Sequence, residues 1–157
     1  MPSFRVFPLI AGVTSCFAGC SGAQRAFEQV QMCVGDERGV AELKSLMRSV
    51  AQSENLQFID NSAQQTLDLK DIGADKALKR NVSRAIDFHI EGESGLGVTA
   101  GNLGLPPYQV GLGFTEGRDP AKAHRLANRL ISSLSQHWNV QRAPSSQGIL
   151  PMKGCGS

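Results

Sequence analysis

Between Arg84 and Asp119 the chain alternates apolar and polar positions three times, with glycines between the runs. Side chains point to opposite sides at successive positions of a strand, so this pattern predicts a three-stranded antiparallel meander. In the first run Ile86, Phe88 and Ile90 share one face, and Asp87, His89, Glu91 and Glu93 share the other. Leu96, Val98 and Ala100 form the second apolar set, and Tyr108, Val110, Leu112 and Phe114 the third, with Gly111, Gly113 and Thr115 opposite it. One face of the meander is predicted to be core and the other open.

Two stretches carry the helical three-four spacing instead. Val40, Leu43, Leu46, Met47 and Val50 recur at that interval behind Asp36, a capping residue, and Glu37, whose charge suits the positive end of the helix dipole, which predicts a helix from Glu37 to Ser53. Asp119-Pro120 is a second helix start, since proline at the first helical position loses no hydrogen bond. Behind it Ala123, Leu126, Ala127, Leu130, Ile131, Leu134 and Trp138 make an apolar stripe, while Lys122, His124, Arg125 and Arg129 read as a solvated face. Leu56 to Asp60 predicts a short fourth strand, residues 63–82 one or two helical turns in a surface connection, and Val140 to Ala143 an edge strand. The tail from Pro144 is loop-like and is expected to be held by Ile149, Leu150 and Cys155. The fold class expected is α+β: an antiparallel sheet of about four strands with two main helices packed on one face.

Composition narrows the function classes. With 157 residues, 41% hydrophobic and 19% charged, the chain reads as one ordinary globular domain. The formal charge is only +2, so no strong field draws in nucleic acid or an anionic surface.

The first residues, MPSFRVFPLIAGVTSCFAGC, carry one early cation, an apolar run from Val6 to Ala18 and then small residues. This run is shorter than the roughly 20 residues a bilayer span requires, and it reads as a secretory leader. Its end, Phe17-Ala18-Gly19-Cys20, resembles the lipobox of bacterial lipoproteins, although Phe17 stands where that family usually has a leucine-like residue. The resemblance covers the leader alone. It implies a signal peptide over 1–19, lipidation of Cys20, a tether over 20–32 and a single domain over 33–157. Ser21 after the cysteine implies delivery to the outer membrane, facing the periplasm, with the lipid as the only membrane contact. Cys16 leaves with the leader and Cys20 carries lipid, so Cys33 and Cys155 remain as a disulfide pair in an oxidising compartment.

Chemistry is sparse. Asp87, His89, Glu91 and Glu93 in one row suit a solvated sheet face better than a metal site, whose ligands must converge. No nucleophile elbow, zinc helix or phosphate loop is present in the sequence, and no cofactor or metal is expected. Strand glycines mark close approach or bends, so the candidate binding face is Asp87, His89, Glu91, Tyr108, Gln109, Gly111 and Gly113, a shallow groove. Asn102, Leu103 and Leu105, in the connection that ends at Pro106-Pro107, form a candidate contact loop. The function expected is that of an envelope lipoprotein with a small binding or accessory domain, an assembly factor or inhibitor whose partner is another envelope protein. The alternative is a periplasmic hydrolase using His89 and a nearby carboxylate.

Overall fold

The computed structural model describes residues 26–73, 85–143 and 149–155. These residues form an α+β fold. In chain order its elements are β1 (Glu28–Cys33), α1 (Glu37–Ser53), β2 (Gln57–Asp60), α2 (Ser62–Asp71), β3 (Asp87–Glu91), a single 3-10 turn (Glu93–Gly95), β4 (Leu96–Gly101), β5 (Gln109–Glu116), α3 (Pro120–Leu134) and β6 (Gln141–Ala143). Among the described residues six strands make one sheet in the order β2-β3-β4-β5-β1-β6, and every neighbouring pair is antiparallel.

The expected count of about four strands is therefore corrected to six. The meander is present as β3, β4 and β5, β2 joins it at β3, and the edge strand at Val140 to Ala143 is β6. The strand missed is β1, whose residues up to Met32 were expected to belong to a tether. Glu28 to Cys33 pairs with β5 on one side, and β6 lies on its other side. Val30 and Met32 are buried while Gln29 and Gln31 between them keep the run polar on average, which is why it read as tether. The leader, Cys20 and the rest of the expected tether up to residue 25 lie outside the described residues, as do residues 74–82 of the surface connection and the two that follow it.

Local chemistry sets the helix ends. Asp36 Oδ1 accepts from the Gly39 N–H at 2.9 Å at the start of α1, and Asp119 Oδ1 accepts from the Lys122 N–H at 2.9 Å at the start of α3, with Pro120 in the first turn. Apart from the terminal Glu28 and Glu116, the even-numbered side chains of β1, β3, β4 and β5, from Val30 and Met32 to Leu112 and Phe114, are buried in one cluster. That cluster includes Leu43, Met47 and Val50 of α1 and Leu126, Leu130 and Leu134 of α3. By contrast α2 contributes no buried residue, and Leu67 and the following Ile72 are exposed. Cys33 and Cys155 form a disulfide across 122 residues of sequence, with Cα atoms 5.6 Å apart. No helix among the described residues is long and apolar enough to cross a membrane.

Candidate functional site

The strand register arranges the odd-numbered side chains as a grid. Across β3 and β4, Asp87 lies opposite Gly101, His89 opposite Thr99 and Glu91 opposite Gly97. Across β4 and β5, Gly97 lies opposite Thr115, Thr99 opposite Gly113 and Gly101 opposite Gly111. The two central strands therefore present only glycine and threonine at these positions. The result is a low floor, with the longer side chains of β3 along one side.

On that side His89 Nε2 lies 2.8 Å from Asp87 Oδ1, with the two side chains 23% and 18% exposed. A carboxylate at this distance orients the imidazole ring. Asp87 is itself fixed by the start of α2: its N–H donates to Ser62 Oγ at 3.0 Å, and its carbonyl accepts from the Asn61 N–H at 2.8 Å. His89, Glu91, Gly97, Thr99 and Thr115 border an open recess of about 340 Å³. The Thr115 hydroxyl is committed to the Gly95 carbonyl at 2.8 Å. No group of three or more metal-ligating side chains converges among the described residues.

The turn from β2 into α2 holds the shifted carboxylate of this region. Burial pushes the Asp60 carboxyl up, but hydrogen bonds from Lys44 and from the side chain and backbone of Ser62 outweigh it and hold Asp60 below its ordinary value.

The expected groove beside Tyr108 and Gln109 is not open. Tyr108 packs partly buried against the core, and its hydroxyl donates to Glu37 Oε1 at 3.3 Å, so it belongs with the core rather than with an open face. Gln109 is fully buried. Its Nε2 donates to the Leu150 carbonyl at 2.7 Å and to Gln31 Oε1 at 3.2 Å, while its Oε1 accepts from the Met152 N–H at 2.7 Å. Ile149 lies over Gly111 so closely that a Cβ added there would sit 2.0 Å from Ile149 Cδ1. The C-terminal segment thus straps the sheet where the groove was expected. Gly113 is different, since a Cβ there meets only Ala26, at 3.5 Å.

In the candidate contact loop, Asn102 is a brace: its Oδ1 accepts from the Ile86 N–H at 2.9 Å and its Nδ2 donates to the Pro107 carbonyl at 3.0 Å. Leu105 is buried, and Leu103 alone of the two leucines is displayed, at 60% exposure. Sequence reasoning missed Ser62 as a support of Asp87 and the strap as the cover of Gly111. The pairing of a bare strand glycine with an aliphatic residue in a cysteine-tied tail was the available signal for the second. A scan of protein-family models and a search of curated proteins found no match to this chain.

Proposed function

We propose that this chain is a lipid-anchored envelope protein whose domain binds another envelope protein across the odd-numbered face of its sheet. The observation that carries this reading is the floor of Gly97, Thr99, Gly101, Gly113 and Thr115 beside the paired Asp87 and His89. Side chains this short let a partner approach the strands closely, and the polar pair beside them gives it a directional anchor. In this reading α1 and α3 both lie against the even-numbered face, as their shared buried cluster supports, and the odd face is left for the partner. Cys20 carries the lipid, the anchor sits in the outer membrane, and the domain faces the periplasm as an assembly factor or an inhibitor.

The test places a photo-crosslinking side chain at position 113 in a chain that keeps Cys20, with and without Thr99→Arg. Thr99 is exposed, so arginine there raises the floor without disturbing the core. An adduct with one envelope protein that vanishes in Thr99→Arg, with folding unchanged, is the expected result. Adducts indifferent to Thr99→Arg would sink the face as the contact. Incorporation of labelled fatty acid that is lost in Cys20→Ser checks the anchor separately.

The 2.8 Å contact between His89 and Asp87 favours one second reading, a hydrolase in which His89 acts as general base. That reading expects His89→Ala to abolish hydrolysis while leaving the crosslinked partner in place. The binding reading expects no hydrolysis to lose.

A further inference from the structure

Gln109 is the buried polar side chain among the described residues, and besides Gln31 Oε1 it bonds to the backbone of the C-terminal segment at both ends of its amide. Burying an amide is costly unless both of its ends are satisfied. Here one end takes a carbonyl and the other an N–H two residues further along the same segment, which is how one strand reads another without regard to side-chain identity. Beside it, the missing side chain of Gly111 makes a seat that the branched Ile149 fills. Ile149 faces the sheet, whereas the next residue, Leu150, is 56% exposed, the alternation of an extended chain. Pro151, between the two bonded residues, uses no N–H of its own.

We propose that Gln109 and Gly111 form a binding site for an extended peptide, filled by the protein's own Ile149–Met152 segment while the Cys33–Cys155 disulfide is intact. The ligand it would take has a branched aliphatic residue first, a free carbonyl on the second residue and a free N–H on the fourth. The disulfide, three residues beyond Met152, fixes the far end of this occupant, whose near end the chain ties to β6, and so raises its effective concentration further. A dithiol reductant opens it by thiol–disulfide exchange: the S–S bond breaks, Cys33 and Cys155 each gain a hydrogen as thiols, and the dithiol leaves as its own disulfide. The site is then free for a peptide in trans. This inference is independent of whether the Thr99 floor binds anything.

The experiment uses the mature chain and a fluorescent peptide, Gly-Ile-Leu-Pro-Met-Lys, copied from the strap, read by anisotropy before and after treatment with a dithiol. Hydrogen exchange at α1 reports in parallel whether the domain stays folded. Binding at least about tenfold tighter after reduction is expected, because a tethered competitor acts at an effective concentration on the order of millimolar. Loss of that binding in Gly111→Val, and with a peptide carrying aspartate in place of isoleucine, is also expected. A reduced, folded chain that binds no peptide would overturn the proposal and leave the strap as part of the fold. If reduction unfolds α1, the oxidised Ile149→Ser, Met152→Pro variant is read instead, since it loses the seated side chain and the N–H that Gln109 accepts. Peptide binding by that variant supports the site, and its absence overturns it.

Discussion

Gly39 sits in the first turn of α1, where replacing glycine by alanine ordinarily stabilises a helix by about 1 kcal/mol. The sign should reverse here. A Cβ at position 39 would lie 1.9 Å from the Val34 carbonyl oxygen, a backbone atom with no rotamer to escape into. Gly39→Ala is therefore expected to cost about 1–3 kcal/mol, read as a lower urea midpoint with unchanged slope. An unchanged or higher midpoint would show that the chain between β1 and α1 yields freely. Asp60 carries a pH prediction. Its value in the folded protein lies below the roughly 3.9 of an unfolded aspartate, so its contribution is complete above that ordinary value and is lost as pH falls through the folded one. Asp60→Asn should be less stable than the native chain at neutral pH, and the two should converge in acid; a constant gap down to pH ~2 would assign the effect elsewhere. At this scale the sequence was legible where partners are local. Asp36 and Asp119 cap residues three positions ahead, and their roles follow from composition and spacing. The partners of Gln109 lie 41, 43 and 78 residues away, and no local pattern could assign them.

The helices divide by what they bury. The bounds expected for α1, Glu37 to Ser53, are those observed, because a capped start and an apolar stripe agree about the same residues. A stripe that buries Leu126, Leu130 and Leu134 likewise made α3 legible. Neither device marks α2, which has no buried residue and whose N-cap Asn61 makes no side-chain cap bond, so its sequence read only as a connection with some helical turns. With so little burial to hold it, α2 should open locally. Its amides are expected to exchange well ahead of those of α1 and α3 in a native-state hydrogen-exchange experiment, and equal protection would mean that α2 is covered. The miss at β1 has a related cause. Gln29 and Gln31 dilute the apolar signal of Val30 and Met32, and a strand with amides on one side looks like linker until its partners are known. The polar row of β3 was legible as alternation, and Asp87 and His89 do meet. Tyr108 left the open face for the core side, where its alternation with Val110, Leu112 and Phe114 already placed it, whereas Gln109 was covered by the strap, which strand periodicity does not encode.

At the scale of the whole molecule, the cysteine count identified the pair that joins the start of the sheet to the strap. Closing so long a loop removes conformational freedom from the unfolded chain, an effect of about 4–5 kcal/mol at most in the chain-entropy treatment. Reduction is expected to lower the melting temperature markedly; no change would mean that the unfolded chain is already held compact. The position of β1 has another consequence, for the order of events in synthesis. The strand starts at residue 28, yet the two strands flanking it start at residues 109 and 141. A ribosome releases β1 long before either neighbour exists, so Val30 and Met32 wait without strand partners while most of the chain is made. Contacts this distant in sequence form late. The nascent domain thus stays open until its last third emerges, a delay that suits any polypeptide threaded through a narrow pore before it folds. The same wiring makes the last strands indispensable to the first: a chain halted before residue 109 has no seat for β1.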